Sequence, residues 1–508
     1  MNFLPPPCEQ VPLSSSPAKS SKGHEAGILV ATILGSSMAF IDGTVVNVAL
    51  PALQNAFHTS VSQIQWIIEA YSLFLASLLL VGGALGDLYG RRFIFLIGVF
   101  VFTVASVWCG LSFTIYHLII ARAVQGVGAA LLVPGSLALI TASFPEERRG
   151  KAIGTWAGFT AITTAIGPVL GGWLVQNASW RWIFFMNVPL AIIVVIVTML
   201  CVTESESKSS SRNLDITGAL LVTIGLGAIV FGLLEWQSGE RVFVLSEVIG
   251  ICALIGFFFV EFYKKSPMMP LNMFRSYDFS GTNLITFFLY FALYGVLFFF
   301  PLDLIQVQGY TATEAGAALF PFILLMFILS RWAGGLVKQF GSRAPLVVGP
   351  AIAAVGFALF LHSNANGPYW TTFFPAVLVL GFGMAVSVAP LTTVVMNSAP
   401  AELVGTASGV NNAISRMAGL LAIAILGLVM TMVFNQHLIS GAKTFPIDIQ
   451  YELINQQSQL GNIKIQNDEA QQLVRNSFIA GYDAVLWIAV ALALCSSLSA
   501  FIFINRNQ

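Results

Sequence analysis

Long apolar runs, broken at short intervals by polar residues, fill the chain from residue 27 to residue 504. A helix crossing the hydrocarbon of a bilayer needs roughly 20 mostly apolar residues, because each adds about 1.5 Å and every backbone group must bond within the helix. Fourteen stretches meet that requirement: 27–50, 63–85, 92–113, 116–142, 150–175, 181–202, 214–236, 241–263, 279–301, 312–336, 343–362, 369–395, 404–435 and 477–504. The pattern predicts an all-α, polytopic membrane protein with 14 transmembrane helices.

Composition agrees, since 57% of the 508 residues are apolar and only 9% are charged, too little polar surface to coat a soluble particle. The first 26 residues are polar and rich in Pro and Ser, so the first apolar run reads as a retained span behind a tail at 1–26. Cys109, Cys201, Cys252 and Cys495 fall inside apolar runs and read as small buried side chains. The five histidines are scattered, and no polar segment is long enough to hold an enzymatic core. No catalytic site, metal site, cofactor or nucleic-acid partner is expected.

Positive residues near spans stay cytoplasmic. The tails and even-numbered connections carry 15 of them (Lys19, Lys22, Arg91, Arg92, Arg148, Arg149, Lys151, Lys208, Arg212, Lys264, Lys265, Arg275, Lys338, Arg343 and Arg506), against two, Arg181 and Arg241, on the short connections of the other side. Both termini, including the short end 505–508, are therefore expected in the cytoplasm of a multi-pass cell-membrane protein. The bacterial inner membrane is the expected site. The Gln/Asn-rich loop at 436–475 then faces outside and reads as solvated.

The chain also repeats itself. Gly83, Asp87, Gly90 and Arg91 return in degenerate form as Gly334, Lys338, Gly341 and Arg343, 251 residues on, and Gly150 and Gly154 return as Gly405 and Gly409 after 255. Two six-helix bundles follow, 27–202 and 279–504, with an inserted pair of helices and its polar linkers at 203–278.

Four stretches carry chemistry beyond this pattern. Gly83-Ala-Leu-Gly-Asp-Leu-Tyr-Gly-Arg-Arg92 joins spans two and three, where glycines permit close helix approach and Asp87 with Arg91 and Arg92 offers charge-assisted bonds that close one face. This stretch resembles the cytoplasmic loop motif of the major facilitator superfamily. Asp42-Gly-Thr-Val-Val-Asn-Val-Ala-Leu-Pro51 and Arg122-Ala-Val-Gln-Gly-Val-Gly-Ala-Ala130 are similar to the first- and fourth-helix motifs of its fourteen-span drug:proton antiporter family. Gly167-Pro168-Val-Leu-Gly171-Gly172, with Gly158 upstream, resembles the antiporter motif of span five, departing from it at Thr163, where glycine is common. The resemblance implies a major facilitator fold, alternating access, and export of lipophilic or cationic compounds of multidrug-efflux type, driven by inward protons.

Ionisable residues inside spans are costly and are functional candidates by default. At about 1.5 Å per residue, Asp42 lies roughly 13 Å, Arg122 roughly 10 Å and Glu69 roughly 9 Å from the outer end of its span. A carboxylate pair with an arginine at one depth suits reversible protonation, and Asp42 is the expected coupling carboxylate, with Glu69 serving more to attract cations. Arg416 in span thirteen and Asp483 in span fourteen are candidates in the other half, and Asn47 and Gln125 are polar groups suited to a cavity wall. The expected partners are a small lipophilic substrate, protons and lipid around a monomeric transport unit. Rival readings are an exporter of one metabolite, siderophore or lipid, and a transporter-like receptor or sensor; use of an envelope adaptor protein stays open.

Overall fold

The computed structural model describes residues 22–203, 215–236, 239–264, 267, 269–361, 368–398 and 404–504, except for a few side chains within helices. The described chain is helical, without a strand. We number the long helices α1 (Lys22–Phe57), α2 (Val61–Tyr89), α3 (Arg91–Gly110), α4 (Ile115–Ser143), α5 (Glu146–Asn177), α6 (Asn187–Cys201), α7 (Ile216–Leu234), α8 (Glu240–Tyr263), α9 (Tyr277–Leu302), α10 (Phe320–Phe340), α11 (Arg343–Phe360), α12 (Phe374–Asn397), α13 (Val404–Ala442) and α14 (Asp468–Phe503). Among the described residues, 13 spans are long and apolar enough to cross a membrane. The fourteenth is α5, whose 32 residues pack along α1.

Within the first half α2 and α3 pack on α4, and α1 packs on α5 and α6; within the last half α10 and α11 pack on α12, and α9 packs on α13 and α14. The second set is the first displaced by eight helices, as the repeat in the sequence requires. The linking loops repeat as well. Gly90 and Gly341 both take a positive φ, 102° and 75°, between consecutive helices, a backbone state that side chains with a Cβ avoid. Arg92 donates to Met199 O of α6 at 3.2 Å, and Arg343, 251 residues later, donates to Phe501 O of α14. Each arginine thus ties the start of a half's third helix to the end of its sixth.

The halves meet through α2 against α13 and α5 against α10, and among the described residues the inserted helix α7 packs over the first of these junctions and not the second. Asp215 caps α7 through Gly218 N at 2.7 Å and accepts Lys264 Nζ at 2.6 Å, closing the α7–α8 hairpin at its open end. Burial raises the Asp215 carboxyl, but Lys264 and the Gly218 N–H outweigh it and hold it below its ordinary value. That stabilisation is present at neutral pH and is lost as pH falls through the lowered value. Asp215→Ala should therefore cost about 1 kcal/mol at pH 7, read as a lower melting temperature, with the gap to wild type closing in acid.

One apolar cluster spans both halves at the end bearing residues 443–467, from Val45 and Ile67 through Phe299 and Phe373 to Phe434 and Val485. At the Gly90 end each half has its own cluster, one around Phe95 and Leu132, the other around Leu346 and Val394. The molecule is closed at its long-loop end. The expectation of a solvated loop is corrected here: Leu453, Leu460 and Ile463 are buried in the shared cluster, and α13 and α14 run past the expected limits of 435 and 477 because those residues give them something to pack on.

Candidate coupling site and closure seams

Asp42 and Arg122, 0% and 1% exposed, form a salt bridge between α1 and α4. Gln125, one turn from Arg122, donates Nε2 to Asp42 Oδ1 at 2.9 Å and to Ser106 Oγ of α3 at 2.7 Å, and accepts Arg122 Nη1 at 2.7 Å. Asn187, opening α6, reaches Asp42 Oδ1 at 3.4 Å and Ser106 Oγ at 3.1 Å. Arg122 also donates Nε to Ile67 O of α2 at 3.0 Å and lies 4.3 Å from the Tyr71 ring centroid. Five helices thus close around one buried ion pair. Separate removal of either charge would leave the other desolvated and unpaired, so such a network stands or falls together. Ser106 and Asn187 were not singled out from sequence, because lone Ser and Asn residues are common in apolar runs.

Glu69 does not join this group. It is 0% exposed, and neither carboxylate oxygen has a hydrogen-bond partner. Successive helical residues turn by about 100°, so Glu69 points roughly opposite to Ile67 and Tyr71, which face Arg122. The expected cluster of two acids and one arginine is corrected to one acid with the arginine and one acid alone. Glu69 lies on the stripe of α2 that runs from Gln65, bonded to Ile423 O of α13 at 3.2 Å, to Leu73, packed on α7 and α13. It therefore belongs to the junction between the halves.

The other candidates are dispersed. Asn47 is half-buried on α1, outside the network. Arg416 crosses from α13 to lie 6.0 Å from the Phe40 ring centroid of α1, with a buried Nε lacking a partner. Asp483 is half-buried on α14. Near it the chain holds a buried acid beyond the expected end of span nine: Asp303, 1% exposed, which opens a π-helical turn, Asp303–Val307. In the loop motif, Gly83 is half-buried at the end of α2, Arg91 donates to Ala138 O at 3.3 Å, and the side chain of Asp87 lies outside the described residues, as does Gly158. Among the described residues no three His, Cys, Asp or Glu side chains gather as a metal site.

The glycine helix α5 explains its own composition. A Cβ on Gly167 would collide with Thr44 Oγ1, and one on Gly171 with Val45, so α1 and α5 touch through these positions. Thr163, the departure from the motif, donates to Ser37 Oγ of α1 at 3.0 Å. A Cβ on Gly172 would meet Ala312 O, and one on Gly316 would meet Pro168 O, which makes a seam between α5 and the short helix Ala312–Ala318. Polar bonds extend the closure: Thr313 Oγ1 to Gln176 Oε1 at 2.6 Å, Gln306 Nε2 to Gln54 Oε1 at 2.9 Å, and Gln54 Nε2 to Gln459 O at 3.0 Å. Gly316→Val should hold the seam apart. Oxidative cross-linking of a Gln176→Cys/Thr313→Cys pair, in a background without native cysteines, should then fall to background, and transport should be lost.

The model of the Major Facilitator Superfamily matches residues 32–423. The chain is 33% identical to the multidrug resistance protein Stp of Mycobacterium tuberculosis, over 91% of this chain and 89% of that protein. It is also 33% identical to the tetracenomycin C resistance and export protein of Streptomyces glaucescens, over 82% and 78%, and to the methylenomycin A resistance protein of Bacillus subtilis, over 82% and 90%. Among solved structures, a bacterial homologue of the human lysosomal transporter Spinster, in an inward-facing and unoccupied conformation, aligns over 95% of this chain and 98% of its own with a TM-score of 0.70 at 19% identity. The repeated halves, the inserted pair, the loop glycines and the matched family model make the chain a member of the major facilitator superfamily.

Proposed function

We propose that the chain exports lipophilic or cationic drug-like compounds across a bacterial cell membrane by alternating access, in exchange for protons. The observation that carries this reading is the pair of differently treated buried acids, Asp42 held by Arg122 and Glu69 held by nothing. An unpaired carboxylate away from water is stable only as the neutral acid. Glu69 accordingly carries a proton while the long-loop end is closed, and the Asp42–Arg122–Gln125 network, on the opposite side of α2, holds α1, α2 and α4 as one body. Asp483 and Arg416 are auxiliary charges of the other half. The names of the relatives, a multidrug resistance protein and two antibiotic resistance proteins, support export of drug-like molecules.

With Lys and Arg clustered on the Gly90 side, that end faces the cytoplasm and the closed end faces outside. Substrate then enters from the cytoplasm between the separate apolar clusters. Asp87 with Arg91 and Arg92 closes that end in the opposite state. The test is the purified chain in vesicles under an imposed pH gradient, with cationic, neutral and anionic lipophiles as substrates. Gradient-driven accumulation of cationic or neutral compounds is expected; accumulation indifferent to the gradient would sink proton coupling. A reporter placed after residue 208 should be cytoplasmic and one near residue 455 external. The reverse labelling would invert the topology.

A further inference from the structure

A cavity of about 630 Å³ opens at the long-loop end where α2, α7 and α13 meet, with Gln65, Trp66, Phe231, Glu235, Gly427 and Thr431 in its wall. Its mouth is polar: Ser62 Oγ donates to Glu235 Oε1 at 3.3 Å, from α2 to the residue that ends α7. Its floor is Gln65, 3% exposed, whose amide donates to Ile423 O across the junction of the halves. The slot for that amide exists because position 427 is glycine, since a Cβ there would overlap Gln65 Nε2. One turn deeper on the same face of α2 stands Glu69, about 6 Å further along the axis, buried and with both oxygens unpartnered.

We propose that this cavity is the route by which protons from the long-loop side reach Glu69, and that Gln65 is its gate. The inference rests on the reading of Glu69 as the proton carrier. Gln65 belongs to one half and Ile423 to the other, so any motion that parts the halves at this end must break their bond and open the floor. In the conformation described here the bond is intact, and the acid is sealed from the cavity. The chamber is roomy and polar enough at its mouth to hold a chain of waters, which relays protons but passes no bulky cation through a gap of one side chain.

This gives the inserted pair a task. Helix α7 and its C-terminal cap supply Phe231 and Glu235, and among the described residues neither inserted helix packs over the corresponding junction between α5 and α10. Among the described residues, the charged and titratable groups around the path are Glu235 at the end of α7 and Tyr116 on α4 in the wall, and Arg416 on α13, seven residues from Ile423. Glu235 draws cations to the entrance, and among the described residues no basic side chain stands in the wall to repel them.

The test uses the full chain in vesicles, treated from the long-loop side with a water-soluble carbodiimide and an amine nucleophile, with labelling of Glu69 read by peptide mass spectrometry and Glu235 as internal standard. Glu69 should label poorly in the wild type. Gln65→Ala should raise its labelling severalfold, and so should Gly427→Ala, which displaces the amide from the opposite helix and covers the case in which Gln65→Ala folds poorly. An imposed pH gradient should also decay faster in Gln65→Ala, and the decay should return to the wild-type rate in Gln65→Ala/Glu69→Gln. Labelling of Glu69 that stays flat in both variants while Glu235 reacts would overturn the route, as would a leak that survives Glu69→Gln. If labelling stays flat and Glu69→Gln still abolishes pumping, the route alone falls. If Glu69→Gln pumps uphill normally, the carrier reading falls and takes the route with it.

Discussion

Arg122→Ala is expected to lower folded stability by about 3–5 kcal/mol, the usual result of stranding one member of a buried pair. The substitution leaves the Asp42 carboxylate at 0% exposure with only neutral donors, Gln125 and Asn187. It also removes the guanidinium from Ile67 O and from the Tyr71 ring, so α2 loses its buried polar tie to α4 and keeps only the exposed bond from Gln63 to Tyr116 among those described. Asp42→Asn should cost a comparable amount from the other side, because the charged arginine then keeps only amide and carbonyl acceptors. Removing both charges together, as Asp42→Asn/Arg122→Gln, should recover much of the loss, since no ion remains unpaired and the two effects are not additive. Melting temperatures of the three purified variants in detergent decide the matter. Wild-type stability in Arg122→Ala would mean that water reaches the pair, contrary to its burial. One consequence bears on coupling. Asn mimics a protonated Asp in shape, yet in this network Asp42→Asn strands an arginine, so its transport defect would mix misfolding with lost coupling.

The spans were readable because a bilayer imposes a length of roughly 20 apolar residues on each one, and a helix lies along each predicted stretch, with ends that differ by a few residues. What escaped prediction lay where length alone does not decide. Asp303 falls two residues past the expected end of span nine, and its helix continues as a π-turn that keeps it buried. The loop after α13 is rich in Gln and Asn, but Leu453, Leu460 and Ile463, spaced among them, fold it down over the closed end. The site was legible in part for the same reason. An Asp and an Arg inside apolar runs at similar depth are conspicuous, and the structure joins them. Depth does not give rotation about a helix axis, however, and rotation separates Glu69 from Arg122: residues 67 and 71 of α2 turn toward α4, and residue 69 turns toward the other half. Pairing between spans far apart in sequence, such as Asn187 with Asp42, is a property of helix packing that the chain's linear pattern does not display.

That rotation also reverses the order of effects expected from the two acids. Glu69→Gln should abolish proton-driven accumulation and leave stability unchanged or slightly raised. Glutamine has nearly the shape of neutral glutamic acid, and no ion pair or hydrogen bond is lost, because neither Glu69 oxygen has a partner. It has no proton to exchange, so each turnover loses the free energy of its proton, about 1.4 kcal/mol and hence about tenfold accumulation for each pH unit of gradient. Substrate binding and downhill exchange should persist, since the closure seams and the Asp42–Arg122 network are untouched, and both should become indifferent to pH. Three measurements on one preparation separate the possibilities: melting temperature, uptake under a pH gradient, and proton release on adding substrate in unbuffered detergent solution. A variant that is stable, exchanges substrate and releases no proton is the expected result. If Glu69→Gln still releases protons and accumulates substrate uphill, the proton resides elsewhere, and Asp42, freed transiently from Arg122, becomes the carrier to test in the charge-free pair Asp42→Asn/Arg122→Gln.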